Sequence, residues 1–249
     1  VTTGLTWDAL GRLTAETSPR GSVTSIYDPA GRRTRVTLPG GGLYADYDYD
    51  LLGNVTKIRE NGATSGVGVL ATYGYDNLGR RTSVTFGNGA VQNIGYDSVS
   101  RLQTLGTDLV STASDLTQTF THNPAGQIRS VTRSNNAYAW TGHADVNRSY
   151  TSNGLNQHMQ AGAKTFTYDG RGNLTGDGAV TFGYSAENML TSAGGTASAT
   201  LSYDPLGRLT QLTSGSNVRR LGYDGLDRIA EYDGSNTVLR RYIHGPGLD

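Results

Sequence analysis

Tyr27-Asp28-Pro29-Ala30-Gly31-Arg32, Tyr75-Asp76-Asn77-Leu78-Gly79-Arg80 and Tyr203-Asp204-Pro205-Leu206-Gly207-Arg208 are three copies of one hexapeptide. Asp suits the first position of a type I turn, Pro the second and Gly the fourth, where a residue without Cβ takes positive φ freely. The Asp carboxylate can also accept backbone N–H groups inside the turn. A type I turn closed by a left-handed residue is a common hairpin connection. The Tyr therefore ends an incoming strand, and the Arg starts an outgoing one.

Working outward, Trp7-Asp8-Ala9-Leu10-Gly11-Arg12 and Tyr49-Asp50-Leu51-Leu52-Gly53-Asn54 are close variants. Looser copies start at Tyr96 (Asp97, Arg101), His122, Tyr168 (Asp169, Gly172), Tyr184 and Tyr223 (Asp224, Arg228), with a degenerate one expected at Tyr150. Successive starts lie 16 to 28 residues apart, the size of one small supersecondary unit. Ser100, Asn188 and Asp227 stand where the turn glycine belongs, and the Tyr96 hairpin has the least secure turn because Ser tolerates the left-handed region least. The stretches Arg32–Leu38 and Arg80–Phe86 are β-branched and alternating, as half-buried strands are. Pro39-Gly40-Gly41-Gly42 and Gly87-Asn88-Gly89 separate hairpins, and no window carries a helical apolar period. The chain reads as all-β, a spiral or solenoid of stacked antiparallel hairpins, with residues 104–166 the loosest part.

Composition agrees. Glycine supplies 35 of 249 residues, and 15 Tyr with 2 Trp carry apolar surface that a thin aliphatic core lacks. Twenty-one basic residues balance 21 acidic ones, which removes the electrostatic argument for nucleic acid. Only Lys57 and Lys164 are Lys; the other cations are Arg, whose planar head stacks on rings and forks onto carboxylates. The absence of Cys excludes a disulfide framework and thiolate metal sites, and no apolar run of 18 residues spans a membrane.

The chemistry-bearing residues sort the same way. The recurring Asp are explained by turn preference, against paired catalytic carboxylates, and they recur too far apart for an Asp-rich calcium repeat. His122, His143, His158 and His244 lack zinc-binding spacing, and neither a nucleophile elbow nor a phosphate loop is present. Asn54, Asn147 and Asn173 begin glycosylation triplets, but Asn54 and Asn173 occupy the Arg slot of the repeat. No catalytic residue, cofactor site or metal site is expected. Arg12, Arg32, Arg80, Arg101, Arg208 and Arg228 recur at one motif position and are expected to pair with turn Asp or stack on Tyr of adjacent hairpins.

The Tyr-Asp-x-x-Gly-Arg series resembles the RHS/YD-repeat family of bacterial polymorphic toxins, insecticidal toxin-complex subunits and teneurins. Asn153-Gly154-Leu155-Asn156-Gln157 with Phe166–Thr175, and Tyr232-Asp233-Gly234 continuing to Arg240–Gly247, resemble late repeats of a bacterial shell. The resemblance implies one shell-wall segment over residues 1–249, incomplete at both ends, of a hollow β-shell that encapsulates a C-terminal toxin or effector segment of the same parent chain. It implies no enzymatic activity here, with the family's autoprotease and toxin regions lying beyond Asp249. It further implies a secretion apparatus as partner and a secreted or cell-surface bacterial location. Adhesion or carbohydrate binding at a surface is the rival reading.

Overall fold

The computed structural model describes residues 2–40, 42–110, 112–143 and 145–246; Val1, Gly41, Gly247 and Asp249, quoted from the sequence above, lie outside them. Apart from three single-turn 3-10 segments, the described regular structure is β-strand. Within each of three sheets the strands run in sequence order, each beside the next. A twelve-stranded sheet extends from β1 (Gly4–Trp7) to β12 (Ile128–Arg133). A three-stranded sheet runs from β13 (Tyr150–Ser152) to β15 (Lys164–Thr165), and a nine-stranded sheet from β16 (Thr167–Tyr168) to β24 (Val238–Arg241). None is closed into a barrel.

The chain forms two compact units. Of the described residues, one comprises those within 7–15, 23–143 and 245–246, and the other those within 2–6, 16–22 and 145–244. In the first, β3 (Gly21–Tyr27), β4 (Arg33–Thr37), β5 (Tyr44–Tyr49), β6 (Val55–Glu60), β7 (Val69–Tyr75) and β8 (Arg81–Phe86) show how the faces separate. Val36 lies opposite Ala45, Tyr47 opposite Ile58, Ile58 opposite Ala71, and Tyr73 opposite Val84. Because partners across a ladder share a face, these residues form one apolar surface, and Val36, Ala45, Ile58, Ala71 and Val84 are buried. The opposite face of β3 to β6 carries the row Ile26, Arg35, Asp46 and Arg59. In the second unit the buried apolar residues include Leu221, Ile229, Ala230 and Tyr232, on β22 (Asn217–Asp224) and β23 (Asp227–Tyr232).

A bulge recurs beside the turns. Tyr27 pairs with Arg33 and Ile26 with Arg35, so Thr34 is left over; the same shift follows Tyr49 and Tyr75. One extra residue per hairpin bends the strand and raises its local twist.

Turn composition decides where apolar residues are spent. The third turn position carries Leu10, Leu52, Leu78, Val99, Leu155 and Leu206, all exposed. Burial, not hydrophobicity alone, sets stability, so Ile58→Ala (2% exposed) is expected to cost about 2–5 kcal/mol. Leu10→Ala (76% exposed) is expected to change the urea midpoint by less than about 0.5 kcal/mol-equivalent, and equal losses would contradict this assignment of faces.

Candidate functional site

The repeated turn is the unit from which any site is built. At the first, the Asp8 N–H donates to the Arg12 carbonyl and the Gly11 N–H to the Asp8 carbonyl. Asp8 Oδ1 accepts from the N–H groups of Leu10 and Arg12, and Oδ2 takes Arg12 Nε at 2.7 Å. The same backbone pair closes the turns that begin at Asp28, Asp50, Asp76, Asp97, Asn123, Asn153, Asp169, Ser185, Asp204 and Asp233. Gly11, Gly31, Gly53, Gly79, Gly172 and Gly207 hold the positive φ that closes the motif turns, and Ser100 at φ 67° and Asn188 at 62° hold it elsewhere. The Tyr96 hairpin thus has the same turn as the others, with Asp97 accepting from the N–H groups of Val99 and Arg101 as the other turn Asp do.

Three positions differ from expectation. The copy expected at Tyr150 is built on Asn153–Gln157, which places Ser152 in the aromatic slot. After Tyr223 the register pairs Asp224 directly with Asp227 around Gly225 at φ 59°, so Asp227 is a strand residue and not a left-handed one. Arg228 then leaves the turn, reaching Glu231 Oε1 at 3.3 Å and stacking 4.9 Å from the Tyr242 ring centroid.

The Arg of each motif acts in two hairpins. Arg12, Arg32, Arg80 and Arg101 are paired with Asp8, Asp28, Asp76 and Asp97 at 2.6–2.7 Å. Arg12 Nη1 then reaches forward to the Asp28 carbonyl at 3.1 Å, and Arg32 Nη1 to the Asp50 carbonyl at 3.2 Å. The guanidinium groups of Arg12, Arg32, Arg80 and Arg208 lie 4.9, 4.6, 4.5 and 5.0 Å from the rings of Tyr27, Tyr49, Tyr96 and Tyr223, each in the next repeat. Where Asn54 and Asn173 replace Arg, their amides keep the bond to Asp50 and Asp169 at 2.9 Å.

The tyrosine reaches backward. Tyr27 OH donates to the Leu13 carbonyl, Tyr49 OH to Arg33, Tyr75 OH to Val55 and Tyr96 OH to Arg81, at 2.8–2.9 Å. Tyr168, Tyr184, Tyr203 and Tyr223 do the same to His158, Leu174, Leu190 and Leu209. The acceptor is always the residue just after the six-residue motif of the preceding repeat. Sequence reasoning missed this bond, although a signal existed: no Phe occupies the aromatic slot of these copies. His122 and Ser152 carry no phenol, and the twelve-stranded sheet ends with the hairpin that follows His122.

A buried ion cluster was also missed. Arg208 Nη2 contacts Asp204 Oδ2 at 2.7 Å and Glu16 Oε1 at 2.5 Å, and all three side chains are at most 7% exposed. Glu16 Oε2 accepts the Gly225 N–H at 3.1 Å, and Arg208 Nη1 donates to the Gly225 carbonyl. Nearby, Arg20 Nη2 donates to the Thr210 carbonyl at 2.8 Å. Burial pushes the Asp204 carboxyl upward, but the Arg208 bonds outweigh it and hold Asp204 below its ordinary value. Glu16 lies in no repeat motif, so nothing local in the sequence marks it.

Among the described residues no group of three His, Cys, Asp or Glu side chains converges as a metal site would. His122 sits in a strand, His143 packs edge-on to Trp140 with centroids 4.8 Å apart, His158 lies against Tyr150, and a His244 ring nitrogen contacts the Arg228 carbonyl. Among the described residues no helix is long and apolar enough to cross a membrane.

This geometry defines a class: open β-sheets of Tyr-Asp hairpins, most of them bonded through their turns to neighbouring hairpins. The RHS Repeat family model matches residues 7–43, 27–65 and 49–91, and over those residues the chain carries RHS repeats. No curated protein sequence matches it. Among solved structures, 86% of the chain aligns with 14% of a chain from the Photorhabdus luminescens Tc holotoxin pore bearing a TccC3 variant, with TM-score 0.55 and 14% identity. A TcdB2-TccC3-TEV crystal structure aligns over 93% of this chain and 18% of that one, with TM-score 0.34 and 14% identity. The first likeness is one of fold, and the chain spans under a fifth of the length of either solved chain.

Two outcomes follow from the turn network. Tyr75→Phe keeps the ring and removes one phenol bond, so it is expected to cost about 0.5–1.5 kcal/mol in urea unfolding; no loss would show that the bond is idle. The turn carboxyls are held low, Asp28 and Asp76 chiefly by the side chains of Arg32 and Arg80. Groups lowered on folding contribute stability above their unfolded pKa, near 3.9, and lose it as pH falls through the folded value. The urea midpoint is expected to drop between pH 5 and pH 3, and less steeply in Asp76→Asn, which has one fewer such carboxyl.

Proposed function

We propose that this chain is a stretch of wall in an RHS-type shell that encapsulates a C-terminal toxin or effector segment of its parent protein. The observation that carries this reading is the repeat-to-repeat relay: Arg reaches forward and Tyr reaches back along successive hairpins. Such a sheet extends by adding hairpins, each completing the polar contacts of its neighbour, and an extended sheet is what an enclosing wall requires. The fold-level likeness to a Tc holotoxin chain supports the same reading. The role is mechanical. Isolating a cargo needs an extended hydrogen-bonded wall and no catalytic group in that wall, and a secreted or surface location of the parent goes with it.

An exposed aromatic pair in one loop, Tyr138 and Trp140 (72% exposed), supports the surface-adhesion reading. Repeat continuity carries more weight, because it involves most hairpins and not one loop.

Electron cryomicroscopy of the full-length parent tests the proposal. Density enclosed by a continuous β-wall that includes these repeats is the expected result. An open solenoid with an empty concave face would overturn encapsulation and favour adhesion.

A further inference from the structure

Triplets of the form Asn-x-Ser/Thr, the acceptor pattern for N-linked glycan, begin at Asn54, Asn147 and Asn173. Such triplets arise by chance in a chain rich in Ser and Thr, and the sequence pattern does not choose among them. Glycan transfer needs a side-chain amide free to react and a backbone free to leave the surface, and here the three sites differ. Asn54 Nδ2 donates to Asp50 Oδ2 at 2.9 Å, while Thr56, two residues on, lies in β6 and donates its hydroxyl to the Asp48 carbonyl at 3.3 Å. Asn173 Nδ2 is shared between Asp169 Oδ2 and Asn188 Oδ1, both at 2.9 Å, and the Thr175 hydroxyl lies 2.9 Å from that of Thr167. In both triplets the amide and the hydroxyl are already engaged by the repeat.

Asn147 is the opposite case. Residues 145–149 carry no regular structure and all are exposed, just ahead of β13. Among the described residues, no hydrogen bond engages the side chain of Asn147 or of Ser149, whose hydroxyl completes the triplet. The segment is anchored at its far end, where the Ser149 carbonyl accepts the Gly162 N–H at 2.8 Å. Asp145, also exposed, stands two residues before Asn147, so Asp145-Val146-Asn147-Arg148-Ser149 reads acidic-x-Asn-x-Ser. At the same position the other two triplets carry Leu52 and Arg171. Among the described residues Asp145 makes no ion pair, which leaves its charge open to a basic group brought from outside.

We infer that Asn147 is an N-glycosylation acceptor, modified by an oligosaccharyltransferase of the bacterial kind that reads an acidic residue two positions before the asparagine. The co-reactant is an oligosaccharide carried on a lipid pyrophosphate. Asn147 Nδ2 attacks the anomeric carbon, the N–C bond forms, and the C–O bond to the pyrophosphate breaks. The lipid pyrophosphate leaves with that electron pair, and the amide gives up one proton to a base. The glycan then stands three residues before β13, whose side chains are exposed and which, among the described residues, has a strand neighbour on one edge only. A bulky polar group at that place shields an open edge from pairing with other chains. In the cell the modification rests on the export of the parent protein proposed above; transfer in vitro does not.

The test incubates the folded 249-residue chain with a purified bacterial oligosaccharyltransferase and its lipid-linked oligosaccharide, read by intact mass and tryptic mapping. One glycan per chain is expected, on the peptide that ends at Arg148, with none at Asn54 or Asn173. Asn147→Gln and Ser149→Ala are expected to abolish transfer and Asp145→Asn to slow it several-fold. The melting temperature stays unchanged in all three, because the side chains are exposed. No transfer under conditions that modify a control acceptor peptide would overturn the inference. So would transfer that survives Asn147→Gln, transfer that falls equally on Asn54 or Asn173, or a rate indifferent to Asp145→Asn.

Discussion

The structure depends on one arrangement: an arginine that closes its own turn, reaches to the next, and lies over a tyrosine whose hydroxyl is bonded back to the hairpin the arginine came from. Arg32 and Tyr49 display all of it, with Asp28, the Asp50 carbonyl and the Arg33 carbonyl as partners. No single contact is strong; an exposed cation–π pair contributes about 0.5–1 kcal/mol and a phenol hydrogen bond about as much. The strength lies in repetition, since each hairpin satisfies groups that its neighbour leaves open. An isolated hairpin is marginal in water, which is why the polar network and not a thick apolar core organises a chain with so few aliphatic residues.

The same arrangement explains the weak middle of the chain. Around residues 122–157 the repeat turns neutral: Asn123 with Gln127 and Asn153 with Gln157 replace Asp with Arg, and His122 and Ser152 replace Tyr. The turns still close, because amides mimic the carboxylate–guanidinium pair locally. What is lost is the phenol, the group that ties a hairpin to the preceding one. One sheet ends at β12 and another begins at β13 across this stretch, with the exposed Tyr138 and Trp140 between them.

Elsewhere a long-range contact replaces the local logic. Asp204 and Arg208 form an ordinary turn pair by sequence, yet Glu16 makes them a buried triad. Two carboxylates on one guanidinium, with the Gly225 N–H as a further donor, keep every buried charge bonded, as a low-dielectric site requires. Removing one member of such a cluster typically costs about 3–5 kcal/mol, far more than an exposed turn pair.

By itself the amino-acid sequence determined the all-β class, the hairpin period, and the turn residues from Trp7 to Arg208, because type I turns impose Asp, Pro and Gly through local backbone sterics. Local rules also made the Arg–Asp pairing legible, since the two residues are four apart. They did not reach the Tyr223 hairpin, where Gly225 captured the turn and turned Asp227 into a strand residue, nor the degenerate copy, whose turn begins at Asn153. Tertiary structure alone decided the backward bond of each tyrosine, the seat of Glu16 on Arg208, and the row that puts Arg35, Asp46 and Arg59 on one face. These depend on register across strands and on segments far apart in the chain, and a one-residue shift would turn each side chain to the other face.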